Sequence, residues 1–178
     1  MRIADLTETF DNLLPQDPKR EILGPQVFDL LTQAYQSIGG IKGNGFNSVE
    51  DMIQNVPFWK IFRRGKDIKA VMLYKDKGGR KRVAMATDGT PDSKAMLAKM
   101  IADEHKFNRS YGEISGPSLR FHQRVLGDEF DKVTIPVEQV KKMVDDEIRP
   151  VSNFEYQRNI GGEWITKRMI GNPGNKIT

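Results

Sequence analysis

The sequence predicts an α/β chain of the α+β kind, with helices flanking a mixed, mostly antiparallel central sheet. Three observations carry this. FWKIFRR (58–64), IKAVMLYK (68–75) and RKRVAMAT (80–87) are β-rich runs joined by very short turns, and such turns force antiparallel neighbours. RVAMATDGTPDSKAMLAKMI (82–101) reads as strand, sharp turn and long helix. NFEYQRNI and EWITKRMI flank Gly161-Gly162, a hairpin signal.

In chain order, residues 1–24 read as an N-terminal arm, residues 25–170 as one domain and residues 171–178 as a loose tail. A helix starts near Gly24-Pro25, with proline in its first turn. Val27, Leu30, Leu31, Ala34 and Ile38 recur on one helical face, which Gly39-Gly40 ends. Ser48 caps the short helix SVEDMIQNV. The three strand candidates follow, then a helix over about 92–106, in which Ala95, Leu97, Ala98, Met100, Ile101 and Ala102 make a broad apolar face. RSYGEIS (109–115) is the next strand, and SLRFHQRVL the next helix, stopped by Gly127. KVTIP and a helix from 137 to 144 precede the closing hairpin. The strands at 80–87 and 109–115 are joined by a helix, so they are expected to lie parallel.

The chain has 178 residues and no cysteine, which excludes disulfides, thiol nucleophiles and thiolate metal sites and fits a reducing, cytoplasmic setting. With only His105 and His122, no metal site is expected. No apolar run approaches a membrane span, and the first residues lack a secretory h-region. The net charge of +4 is concentrated between Phe58 and Arg82, where ten Lys and Arg face only Asp67 and Asp76. Such a stretch suits an anionic partner, and equally the solvated ends of lysine-rich hairpins. Arg63, Arg64, Lys77 and Arg80 are the residues expected to contact nucleic acid or another partner.

The pieces FWKIFRRGKDIKAVMLYKDKGGRKRVAMATDG, TPDSKAMLAKMIADE and RSYGEISGPSLRFHQRVLG, in this order, resemble the GNAT superfamily of acyl-CoA-dependent N-acyltransferases. The likeness covers about residues 25–170. The closing R-N-I-G-G within Tyr156–Glu163 is similar to that of degenerate GNAT-like proteins of tailed bacteriophages. The resemblance implies a strand–turn–helix that holds the cofactor pyrophosphate, with acetyl-CoA as cofactor and an amine as acceptor. It also implies a Gln/Arg-x-x-Gly-x-Gly/Ala loop, where this chain has DGTPDSKA, and an Asn and a Tyr where this chain has Gly116 and Gln123. The same fold without those residues serves as a scaffold, which here would bind nucleic acid or a protein through the basic hairpins, as a phage accessory or anti-defence factor.

Two sets of residues are candidates for chemistry. A helix start offers unpaired N–H groups to an anion, so Ala86, Thr87, Gly89, Thr90, Ser93 and Lys94 are the expected cofactor contacts. Asp88 and Asp92 oppose this, since they can cap the helix themselves. For transfer to an amine, Glu113 and His122 are the candidate bases. Tyr111 and Ser115 share the strand face of Glu113. Phe58, Trp59, Phe62, Tyr74 and Trp164 are either core or stacking surfaces beside the basic stretch. The Gly39–Gly45 loop lacks the Lys-Ser/Thr of a phosphate loop.

Overall fold

The computed structural model describes residues 7–40, 45–107, 112–143 and 147–171. The chain divides into two compact units, Met1–Leu97 and Ala98–Thr178.

The first unit holds β1 (Glu8–Leu13), α1 (Lys19–Ser37), α2 (Val49–Asn55), β2 (Phe58–Arg64), β3 (Asp67–Tyr74), β4 (Arg82–Thr87) and the start of α3 (Pro91–Phe107). Its four strands pair in the order β1-β2-β3-β4, each pair antiparallel. One face of the sheet presents Trp59, Ile61, Val71, Leu73, Ala84 and Ala86 to Leu23, Val27 and Leu31 of α1 and Met52 of α2. Burying these side chains is the main source of stability of this unit. The tight turns that the sequence announced are present, and Gly65 and Gly79 take positive φ in them.

Two expectations about the N-terminal part change. Residues 8–13 are not an arm but an edge strand, in register with β2 from Glu8↔Arg64 to Leu13↔Trp59. The first helix begins at Lys19, six residues before Pro25, which it accommodates inside. The extra turn is anchored by Arg20. Its guanidinium donates to the carbonyls of Val56 (2.9 Å) and Leu13 (3.0 Å) and lies 4.4 Å above the Trp59 ring. These contacts, with buried Leu23, offset the hydrogen bond that a proline within a helix removes.

The second unit holds the rest of α3, β5 (Gly112–Ser115), α4 (Gly116–Leu126), α5 (Glu129–Val133), α6 (Val137–Met143), β6 (Ile148–Pro150), β7 (Glu155–Ile160) and β8 (Glu163–Ile170). Its sheet runs β5-β8-β7-β6, again antiparallel throughout. Ile135, Val137 and Val140 pack with Tyr156 and Met169 on one side. Leu119 and Phe130 pack with Ile170 elsewhere in the unit. Gly161 and Gly162 (φ 60° and 85°) make the predicted hairpin turn.

A mixed sheet with β4 beside a parallel β5 is therefore not what forms. The two strands belong to separate sheets, and no parallel pair occurs among the described residues. Strand β5 instead takes β8 as its partner, with Glu113 opposite Met169 and Ser115 opposite Lys167. The helical crossover that would favour a parallel pair yields to this pairing, which brings two cations to Glu113. Tyr111 and residues 172–178 of the expected tail lie outside the described residues.

Candidate functional site

The β4–α3 turn is built from Thr87 to Ser93. Gly89 bends the chain with φ 85°, a conformation that only glycine takes without strain. Two N–H groups of the turn are used inside it. Gly89 N–H donates to Thr87 Oγ1 (3.1 Å), and Thr90 N–H donates to Asp88 Oδ1 (3.1 Å). The Thr90 hydroxyl lies 2.7 Å from both Asp88 Oδ1 and Ser93 Oγ. It has one proton, so it donates to one of the two at a time. Lys69 completes the cluster, 3.0 Å from Asp88 Oδ2. Burial alone would raise the Asp88 pKa, but the hydrogen bonds from Ser93, Thr90 and Lys69 outweigh it and hold the carboxyl far below its usual range.

The six expected cofactor contacts are thus gathered at one turn, but in different states. Ala86 and Ser93 are buried, Thr87 is half-buried, and Gly89, Thr90 and Lys94 are exposed. Asp92 adds a second carboxylate, which accepts from Arg64 (2.9 Å). A pyrophosphate at this place would have to displace Asp88 and then face Asp92. The residues present do not fit that group.

Glu113 sits at the centre of an ion cluster in the second unit. Arg158 donates to both carboxylate oxygens, through Nε to Oε2 (3.2 Å) and through Nη2 to Oε1. Lys167 Nζ is 3.1 Å from Oε2 and its side chain is only 5% exposed. Burial pushes the Glu113 pKa up, yet the two cations prevail and keep it below its ordinary value. Tyr156, fully buried next to this cluster, has its phenol pushed up by burial and by the Glu113 charge. A general base needs a pKa near the working pH and a free lone pair toward its substrate; Glu113 has a depressed pKa and two cationic partners. His122 is fully buried, with Nδ1 2.6 Å from the Ser118 carbonyl and its ring edge-on to that of His105 at 5.9 Å. The short contact to a carbonyl places the proton on Nδ1.

The basic stretch divides in two. Arg63 bonds Asp11 through Nε (2.5 Å), and Lys19 bonds the same carboxylate (3.1 Å). Arg64 bridges Glu8 (3.1 Å) and Asp92. Their partners come from β1, in the expected arm, and from α3, both distant in sequence. The tip of the β3–β4 hairpin differs. Lys75, Lys77, Arg80 and Lys81 are all exposed. Asp76, the one acid among residues 75–81, turns its carboxylate inward and accepts the backbone N–H groups of Arg80 (3.0 Å) and Lys81 (2.6 Å). Among the described residues no carboxylate pairs with those four cations. Trp59, Phe62 and Tyr74, weighed as stacking surfaces, are buried at 1–2% exposure. Trp164 is partly exposed and lies under the Arg149 guanidinium at 4.1 Å. A shallow cleft of about 500 Å³ between the end of α1 and the start of α2 is lined by Thr32, Tyr35, Gln36, Asn47 and Ser48, and among the described residues its lining carries no charged group.

Among the described residues no cluster of His, Asp and Glu could hold a metal ion, and no helix is long and apolar enough to cross a membrane. In comparisons with protein-family models, curated proteins and solved structures, no family model, curated protein or solved structure matches the chain.

Proposed function

We propose that this chain is a GNAT-like binding protein that recognises a polyanion, specifically nucleic acid, through the tip of the β3–β4 hairpin. The observation that carries this is the contrast in pairing. The cations at the tip stand exposed around a carboxylate already spent on the turn, whereas Arg63 and Arg64 are held by Asp11, Glu8 and Asp92. Exposed cations released from internal pairing attract phosphates and displace their counterions. The order of elements from α1 onward is what the family reading rests on; the pairing of β5 with β8 rather than with β4 weighs against it.

Acyl transfer from acetyl-CoA to an amine is the second reading. That same order and the positive φ of Gly89 at the mouth of β4 favour it. The chain's own carboxylates at the turn, and the depressed pKa of Glu113, weigh against it.

Calorimetric titration separates the two. The polyanion reading expects heat with a mixed-sequence oligonucleotide, lost on Lys77→Glu/Arg80→Glu, and none with acetyl-CoA. Saturable acetyl-CoA binding abolished by Gly89→Asp, with no response to the oligonucleotide, would reverse the choice.

A further inference from the structure

We infer that the nucleic acid held at the hairpin tip is a duplex, gripped by its phosphate backbone without regard to sequence; this rests on the polyanion reading above. The loop KDKGGRK (75–81) contains no aromatic residue. The rings at the strand ends that carry it are turned to the protein. Trp59 and Tyr74 are buried, and Phe46 packs against the core of the first unit. Phe58 lies against Gly79, where a Cβ would stand 3.4 Å from its ring, and meets Tyr74 edge-on at 5.5 Å. The loop backbone is also set before anything binds. Lys75 N–H donates to the Lys81 carbonyl at 2.8 Å, and the N–H groups of Arg80 and Lys81 donate to the Asp76 carboxylate. Exposed Lys75, Lys77, Arg80 and Lys81 therefore stand on a preformed turn, which spares the cost of ordering a loop on binding. Three of the four are lysines, which meet phosphates as point charges and demand no particular geometry.

Attraction by charge alone favours the form of nucleic acid with the denser charge. A duplex carries one charge per roughly 1.7 Å of helix axis, against roughly 3.4 Å for one of its strands. Each phosphate neutralised releases about 0.9 counterion from a duplex and about 0.7 from a single strand. Over the tip cations the difference in salt exponent is about 0.8, which is about sixfold in affinity at about 0.1 M salt relative to about 1 M. A stacking surface would reverse the order, since only unstacked bases are open to an aromatic ring. Phosphates are alike under every base pair, so contacts to them alone carry no sequence information.

The test measures fluorescence anisotropy with the full chain, a labelled DNA duplex and each of its strands alone, in two unrelated sequences, from about 0.1 M salt upward. The expected result is a duplex bound about sixfold tighter at the lowest salt, a gap that narrows as salt rises, and equal affinity for the two sequences. Lys77→Gln and Arg80→Gln should each lower the duplex slope of log affinity against log salt by about 0.9. Circular dichroism confirms that each variant is folded. Single strands bound as tightly as the duplex or tighter, or a preference of about tenfold for one sequence, would overturn the duplex inference and leave the polyanion reading standing. Binding of neither form, or slopes that neither variant moves, would overturn both.

Discussion

The Asp88 carboxylate closes the β4–α3 turn from within, accepting both the backbone N–H of Thr90 at 3.1 Å and its hydroxyl at 2.7 Å. A phosphate at this turn would compete with the protein's own carboxylate for the Thr90 donors. Asp88→Ala should destabilise the first unit by about 1 kcal/mol, as loss of a side-chain hydrogen bond does. Gly89→Ala should cost about 1–2 kcal/mol, because its φ of 85° opposes any Cβ. The chain carries two tryptophans, Trp59 in the first unit and Trp164 in the second. Urea unfolding of a Trp164→Phe background, followed by Trp59 fluorescence, reads the first unit alone.

Glu113→Gln should be more severe. It leaves Arg158 and the buried Lys167 without a counter-charge, and breaking such a pair costs roughly 3 kcal/mol or more. Trp164 fluorescence in a Trp59→Phe background measures it in the second unit. Replacing Glu113, Arg158 and Lys167 together with apolar residues of similar size should recover much of the loss, since the cost lies in the orphaned charges. A Glu113→Gln variant as stable as the parent would refute the ion-cluster account.

Acid should weaken both units in the same direction. Burial opposes the charged form of Asp11, but Arg63 and Lys19 outweigh it and depress its pKa; Glu113 is depressed by Arg158 and Lys167. A carboxylate whose pKa is lower when folded adds stability that is complete above its unfolded value, near 4, and disappears as pH falls through the folded one. Unfolding free energy should therefore be flat near neutrality and decline below about pH 4–5. Asp11→Asn should reduce that decline in the Trp59 signal and leave the Trp164 signal alone. A decline of unchanged size would assign the acid sensitivity elsewhere.

Local structure was largely legible in the sequence, because it is written in neighbouring residues. The β2–β3–β4 run, the helix after the turn, the Gly127 stop and the Gly161-Gly162 hairpin all follow from periodicity and glycine placement. Strand β1 was not, since ETFDNL is short and mostly polar and becomes a strand only by pairing with β2. The choice of β8 over β4 as the partner of β5 depends on residues about fifty positions away, and no local pattern reports it. The same distance hid the state of the candidate site. Arg63 and Asp11 are 52 residues apart, and Glu113 and Arg158 are 45 apart. The composition showed basic residues in excess, but only the fold divides them into those neutralised by acids and those presented to solvent. The acids at the turn were visible as a conflict with phosphate binding; what the sequence lacked was the hydrogen bonding that ties Asp88 to Thr90.

The salt dependence of oligonucleotide binding tests the central claim most directly. If Lys75, Lys77, Arg80 and Lys81 are the working surface, log affinity falls linearly with log salt. Each tip cation removed then lowers the slope by about 0.7 for a single strand, while Arg63→Gln and Arg64→Gln leave it nearly unchanged. A slope indifferent to the tip variants, or no binding at low salt, would contradict the account.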